Sequence, residues 1–272
     1  MDKSVSEQVA DENEKLFVND VSVRTFLSLK TERSAIQELL PNGWELTELQ
    51  AGPAKGSNLS VALIDPVIIQ DPQGASITPQ PVFVIATLAR RSGSSAPVVM
   101  VIGGSAMSAP GAYEVYQSAK LTVDRCSQTD AAGQTTLKES WKAETDQKEV
   151  FEMQAEFVRG SLTRTNFDTK IYSAARPDFF RIYRGEQLTD VVRSDPVAVD
   201  RLQKFNIQAK GPRFAGLFDG ASLIGLNSIP MYRRALYLPV HCNFMMAAAV
   251  SSIERRVTSS CAQLNFALSF RA

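Results

Sequence analysis

The chain has 272 residues, 44% of them hydrophobic, and its 29 basic and 29 acidic side chains give a formal net charge of zero. That is enough apolar material for a sizeable core, and without an excess of positive charge neither nucleic acid nor an anionic membrane is an expected partner. The longest apolar runs, residues 98–102 and 244–250, are too short to span a bilayer, and residues 1–20 hold no apolar signal-peptide core, so a soluble, cytoplasmic protein is expected.

In chain order, residues 1–15 read as a flexible lead-in and residues 16–272 as one domain. Residues 21–29 read as a strand. A short helix follows, opened by a capping-box pattern at residues 34–37 and stopped by Pro41-Asn42-Gly43. Residues 44–49 and 58–64 are strand candidates, and residues 70–81 form a loop. Two dense apolar runs, 82–89 and 97–102, predict a hairpin through the core. Residues 103–111 are small and flexible, and residues 113–119 predict a helical turn leading into a strand at 121–126.

A second hairpin is expected from residues 135–143 and 150–158, whose second arm alternates Phe151, Met153, Ala155 and Phe157 against Glu152, Gln154 and Glu156. In the first arm Glu139 shares the apolar face, which places it at a sheet margin or inside a cavity. Residues 167–172 and 179–183 read as strands, Arg184-Gly185-Glu186 as a turn, and residues 187–192 as a further strand. Asp195-Pro196 reads as the start of a helix to about Phe205. Strands and loops resume at residues 212–218, 235–240 and 264–270. The sum is an α+β chain, mainly antiparallel β with a few short helices. A curved sheet or barrel enclosing a cavity for a small ligand is expected.

The cysteines, Cys126, Cys242 and Cys261, are widely spaced and form no CxxC pair; they read as reduced, mostly buried thiols. His241 stands alone, so no metal site is expected, and without a GxSxG elbow it reads as structural. Lys120 is the one cation between Arg91 and Arg125, set among aromatic and small residues ahead of a strand. A lysine desolvated in such surroundings loses its charge and becomes an amine nucleophile, whereas one at a strand end snorkels to solvent.

The order of these elements resembles the acetoacetate decarboxylase-like superfamily over about residues 20–240: an N-terminal strand with an arginine, a helix ending Leu-Leu-Pro-Asn-Gly43, a core hairpin, the run Glu114-Val-Tyr-Gln-Ser-Ala-Lys-Leu121, and Asn166-Phe-Asp-Thr-Lys-Ile171. In that family a Glu precedes Gly-x-Pro-Lys-Lys-Leu. Counting from Glu114 puts Lys120 on the Schiff-base lysine and Leu121 on the second lysine. Sliding by one residue matches Lys120 to the second lysine and leaves no nucleophile. The resemblance also puts Arg24 near the substrate. The family's carboxylate on the first hairpin strand has no counterpart in residues 82–89.

The resemblance thus implies a diverged lyase that acts on an oxo acid or related carbonyl compound through a Lys120 imine. In it Glu114 is a candidate catalytic acid, and Arg24, Tyr113 and Tyr116 are candidate substrate-binding residues; no cofactor is expected, and a homo-oligomer is. The alternative is a non-catalytic protein holding a small apolar ligand on the same fold. For Arg233-Arg234, which follow Met231-Tyr232, a reach into a pocket competes with pairing on the surface, and the surface pair is favoured.

Overall fold

The structure is a computed structural model that describes residues 13–240. The expected strand at 264–270, His241, Cys242 and Cys261 therefore lie outside the described residues. The elements are β1 (Glu14–Lys30), α1 (Arg33–Gln37), β2 (Trp44–Thr47), β3 (Leu59–Gln70), β4 (Val82–Arg91), β5 (Val98–Ala106), β6 (Gln117–Thr129), β7 (Thr135–Thr145), β8 (Val150–Val158), β9 (Thr163–Ser173), β10 (Phe180–Ser194), β11 (Val199–Asp200), β12 (Leu202–Lys210), α2 (Pro212–Phe218) and β13 (Ser222–Pro239).

Strand pairing runs β12-β8-β7-β6-β5-β9-β10-β13-β1-β3-β4-β2, and β4 also pairs with β5. That extra pairing closes β5, β9, β10, β13, β1, β3 and β4 into a barrel, so those strands have no free edges. The pairings are antiparallel except β5 with β6 and β5 with β9. Strands β6, β7, β8 and β12 form a flap that leaves the barrel at β5 and folds back over its outer wall.

Two cores result. Between barrel wall and flap, Leu27, Leu59, Phe83, Ile85 and Met100 meet Trp141, Phe151, Met153 and Phe157, all buried. Phe83 and Phe151 stack at 4.4 Å between centroids. The second core lies inside the barrel and gathers Val18, Val101, Tyr113, Tyr116, Phe179, Tyr183 and Leu236. Strand β1 serves both because side chains alternate: Val18, Asp20, Ser22 and Arg24 are buried on one face, Thr25, Leu27 and Leu29 on the other.

Both expected hairpins form, as β4–β5 and β7–β8. Four expectations are corrected. Arg184-Gly185-Glu186 is not a turn but the middle of the continuous strand β10. Gly185 marks a close approach of strands instead, since a Cβ there would lie 2.0 Å from the Arg233 carbonyl oxygen. The helix at 195–205 is only a 3-10 turn, Asp195–Val197, ended by Ala198 in the left-handed region at φ 54°. The period-two pattern after it forms β12. Conversely, residues 212–218 are helical: Pro212 opens α2, and Phe214, Leu217 and Phe218, at helical spacing, are buried in the core between wall and flap. In α1 the capping box is not made, for the N-cap is Glu32 and no side chain caps it. No helix among the described residues is long and apolar enough to cross a membrane.

Candidate functional site

Register decides which side chains enter the barrel. Val18, Asp20 and Ser22 of β1 face Leu236, Arg234 and Tyr232 of β13, which in turn face Tyr183, Gly185 and Gln187 of β10. Directly paired residues share a face, so charge and phenol groups converge on one stretch of the interior. Arg24 is 3% exposed. Its Nε donates to Ser22 Oγ at 2.8 Å and its Nη2 lies 3.5 Å from Asp20 Oδ1. Its guanidinium lies over the Tyr232 ring, 3.4 Å from the centroid. Arg234 donates from Nε to the other Asp20 oxygen and lies 4.3 Å from the centre of the Tyr183 ring.

Two cations therefore share one carboxylate, and the cluster has a net positive charge in a water-poor interior. Burial, and then the charge of Arg234, lower the Arg24 pKa to about 10. Burial also pulls on Arg234, but Asp20 and the phenols more than offset it and raise Arg234 above its ordinary value. Among the described residues, neither terminal nitrogen of Arg234 meets a protein acceptor. Its side chain keeps 17% of its surface accessible.

Tyr113 and Tyr116 reach the same interior from the irregular turn between β5 and β6, which replaces the expected helical turn. The Tyr113 and Tyr183 hydroxyls are hydrogen bonded to each other. Burial, then Tyr183, holds the Tyr113 pKa well above the usual phenol value; burial likewise raises Tyr116 and Tyr232. These phenols remain neutral hydrogen-bonding groups across the ordinary pH range. Tyr116 fits because Gly104 of β5, at φ +149°, leaves the space its ring fills: a Cβ there would lie 3.0 Å from the ring.

Of the residues singled out in the sequence, Arg24, Tyr113 and Tyr116 are thus gathered in the barrel, while Lys120 and Glu114 are outside it. Lys120 is exposed on the solvent face of the flap, in register with Glu144. Its neighbours Ala119, Leu121 and Val123 take the inward face. A one-residue difference of register decides which face a strand residue occupies. The desolvation that an imine-forming amine requires is absent at Lys120. Glu114 is exposed, at φ 60°, and pairs with Arg176 at 3.3 Å. No lysine among the described residues is buried.

Glu139 is 6% exposed at the seam of barrel and flap. It accepts from Thr25 Oγ1 at 2.6 Å, Arg125 Nη2 at 3.0 Å and Trp141 Nε1. Arg125 also binds Asp65 of β3, so the carboxylate is a fastener between layers, with its lone pairs occupied. Cys126, expected to be buried, is exposed. It lines a groove of about 470 Å³ on the outer face of the flap, together with Lys138, Gln154, Glu156 and Lys204. There Glu156 pairs with Lys138 and with Lys204, each at 3.3 Å, and both lysines are exposed, so solvent screens the groove's charges. The unsatisfied charge is in the barrel, and we place the site there. Among the described residues no three His, Cys, Asp or Glu side chains converge as ligands for a metal ion.

Asp20, Tyr183 and Tyr232 escaped the sequence reading, and Arg234, favoured there as half of a surface pair, instead joins Asp20 in the barrel. Alternation carried the signal for some of them: Asp20 is in phase with Ser22 and Arg24, and Arg234 with Tyr232 and Leu236. The turn assigned to residues 184–186 hid Tyr183.

No protein-family model and no curated protein sequence matches the chain. Solved structures do. One is the enduracididine biosynthesis enzyme MppR complexed with pyruvate, at TM-score 0.52 and 11% identity over 86% of this chain and 92% of that one. Another is MppR with the condensation product of pyruvate and imidazole 4-carboxaldehyde, at TM-score 0.51 and 11% identity over 81% and 87%. An acetoacetate decarboxylase-like enzyme from Sphingomonas wittichii RW1 aligns at TM-score 0.45 and 9% identity over 85% and 92%. At such identities the likeness to MppR is one of fold alone: a mostly β chain with few helices.

Proposed function

We propose that the barrel binds a small oxo acid without forming a covalent bond to it, the carboxylate lying against Arg24 and Arg234. One observation carries the reading: Arg24, buried, and Arg234, partly buried, share Asp20, and the terminal nitrogens of Arg234 have no protein acceptor among the described residues. A bound carboxylate supplies the missing negative charge and accepts from that guanidinium. The tyrosine hydroxyls around it donate to a carbonyl oxygen and polarise it. Pyruvate, present in a structure of like fold, is one member of this ligand class.

An imine at Lys120 is not carried forward, because its amine lies in solvent outside the barrel. Chemistry within this site rests on polarising the carbonyl and stabilising negative charge on its oxygen, which favours proton exchange at the adjacent carbon. A purely apolar ligand fits less well, since it would leave the cations of the cluster uncompensated.

Calorimetric titration with acetate, pyruvate and acetoacetate tests the reading. Binding of the oxo acids is expected, weakened about tenfold or more by Arg24→Met. No binding by any of the three, or binding indifferent to Arg24→Met, overturns it.

A further inference from the structure

Arg181 has no part in the cluster around Asp20, yet it is 8% exposed on β10, two residues before Tyr183 on the same inward face. Its guanidinium is surrounded by rings: Tyr113 at 5.5 Å, Phe17 at 5.6 Å and Phe179 at 5.9 Å. It makes no hydrogen bond or ion pair among the described residues, and its Nε is buried without a partner. Nearby acids are already engaged. Glu14 and Asp168 both bind Arg184, which points to the opposite face of β10, and Glu114 pairs with Arg176. Ring contacts offset part of the cost of enclosing a cation, but an enclosed arginine without an anion remains uncompensated.

The arrangement continues toward the first cluster. The Arg181 guanidinium is beside the Tyr113 ring, the Tyr113 hydroxyl meets that of Tyr183, and the Tyr183 ring is 4.3 Å from the Arg234 guanidinium. Along β10, Arg181 is four residues from Gly185, the partner of Arg234. That corresponds to roughly 13 Å of backbone, which the long side chains shorten from both ends.

We infer that Arg181 is a second anion subsite in the barrel and that the ligand is a small oxo dicarboxylate. One carboxylate lies against Arg24 and Arg234, the other accepts from Arg181, and the hydroxyl pair of Tyr113 and Tyr183 donates to the carbonyl oxygen between them. The inference rests on the proposed carboxylate site and narrows its substrate class.

Titration of the full chain with pyruvate and with 2-oxoglutarate separates the two claims. The diacid is expected to bind about tenfold or more tightly than the monoacid. In Arg181→Met that ratio falls to about one, and in Arg181→Lys, which keeps the charge, it is partly restored. Ligand-free Arg181→Met is expected to melt no lower than the parent, because it removes an uncompensated cation. Equal affinities in the parent, or a ratio that survives Arg181→Met, overturn the subsite and leave the carboxylate site standing. If neither compound binds, the carboxylate site fails and the subsite with it.

Discussion

The two faces of β1, β3 and β4 bury opposite chemistries. Toward the flap, Leu27, Leu59, Phe83 and Ile85 pack against Phe151 and Met153 in a dry layer. Toward the barrel interior, within a few residues on β1, the same sheet buries Asp20, Ser22 and Arg24 with Arg234 and a set of tyrosines. Apolar burial at roughly 25 cal/mol per Å² stabilises the first face without specific partners. The second face also buries Val18, Val101 and Leu236, but its cations remain tolerable only through Asp20 and aromatic contacts. Stability is concentrated in the layer between wall and flap. The proposed recognition belongs to the face whose charges do not balance.

Substitutions on either side separate these roles. Phe151→Ala removes the ring stacked on Phe83 and is expected to cost about 3–5 kcal/mol in urea unfolding, the largest effect of the set. Asp20→Asn leaves the buried Arg24 and the partly buried Arg234 without their shared carboxylate, with an expected loss of about 3 kcal/mol. Adding pyruvate should recover more of this loss than adding chloride. Recovery with neither would mean the barrel cations attract no ligand. Glu139→Gln keeps its shape but gives up the charge on which Thr25, Trp141 and Arg125 converge. A loss of about 1–3 kcal/mol is expected, with oxo-acid affinity retained.

A smaller effect comes from pH. Burial lowers the Arg24 pKa to about 10, below its unfolded value, so the folded state gives up that proton first as pH rises. Stability therefore gains from this group as pH climbs above about 10, while oxo-acid affinity falls through the same window, by about tenfold. Tyr113, Tyr116 and Tyr232, raised by burial, give up their protons later than a free phenol does. Calorimetry at about pH 8 and about pH 11 reads the loss, and an affinity flat across that range contradicts it. The smallest effect belongs to Lys120→Ala: less than about 0.5 kcal/mol, because the side chain is exposed on the flap. Pyruvate with borohydride is expected to leave the mass of the parent protein unchanged.

Alternation in residues 151–157 and the paired apolar runs 82–89 and 97–102 were enough to read both hairpins, since period-two patterning is local. The parallel pairing of β5 with β9 that completes the barrel was not readable, because it joins strands some seventy residues apart whose pairing depends on the whole circuit. Gly185 looked like a turn because the strand that crowds it, β13, is far away in sequence. The inward face of Arg24 became decidable only with Asp20 and Arg234 opposite it. Lys120 shows the converse limit: its neighbourhood in sequence is small and aromatic, but at Ala119 and Leu121 the strand turns its inward face to the core and leaves the amine outside.

The central claim is tested most directly by a crystal of this protein soaked in pyruvate. The account predicts a carboxylate inside the barrel with an oxygen within about 3.2 Å of an Arg234 terminal nitrogen, and an unmodified Lys120 amine. Pyruvate joined to Lys120 as an imine, or bound only in the groove beside Cys126 with the barrel arginines untouched, would contradict it.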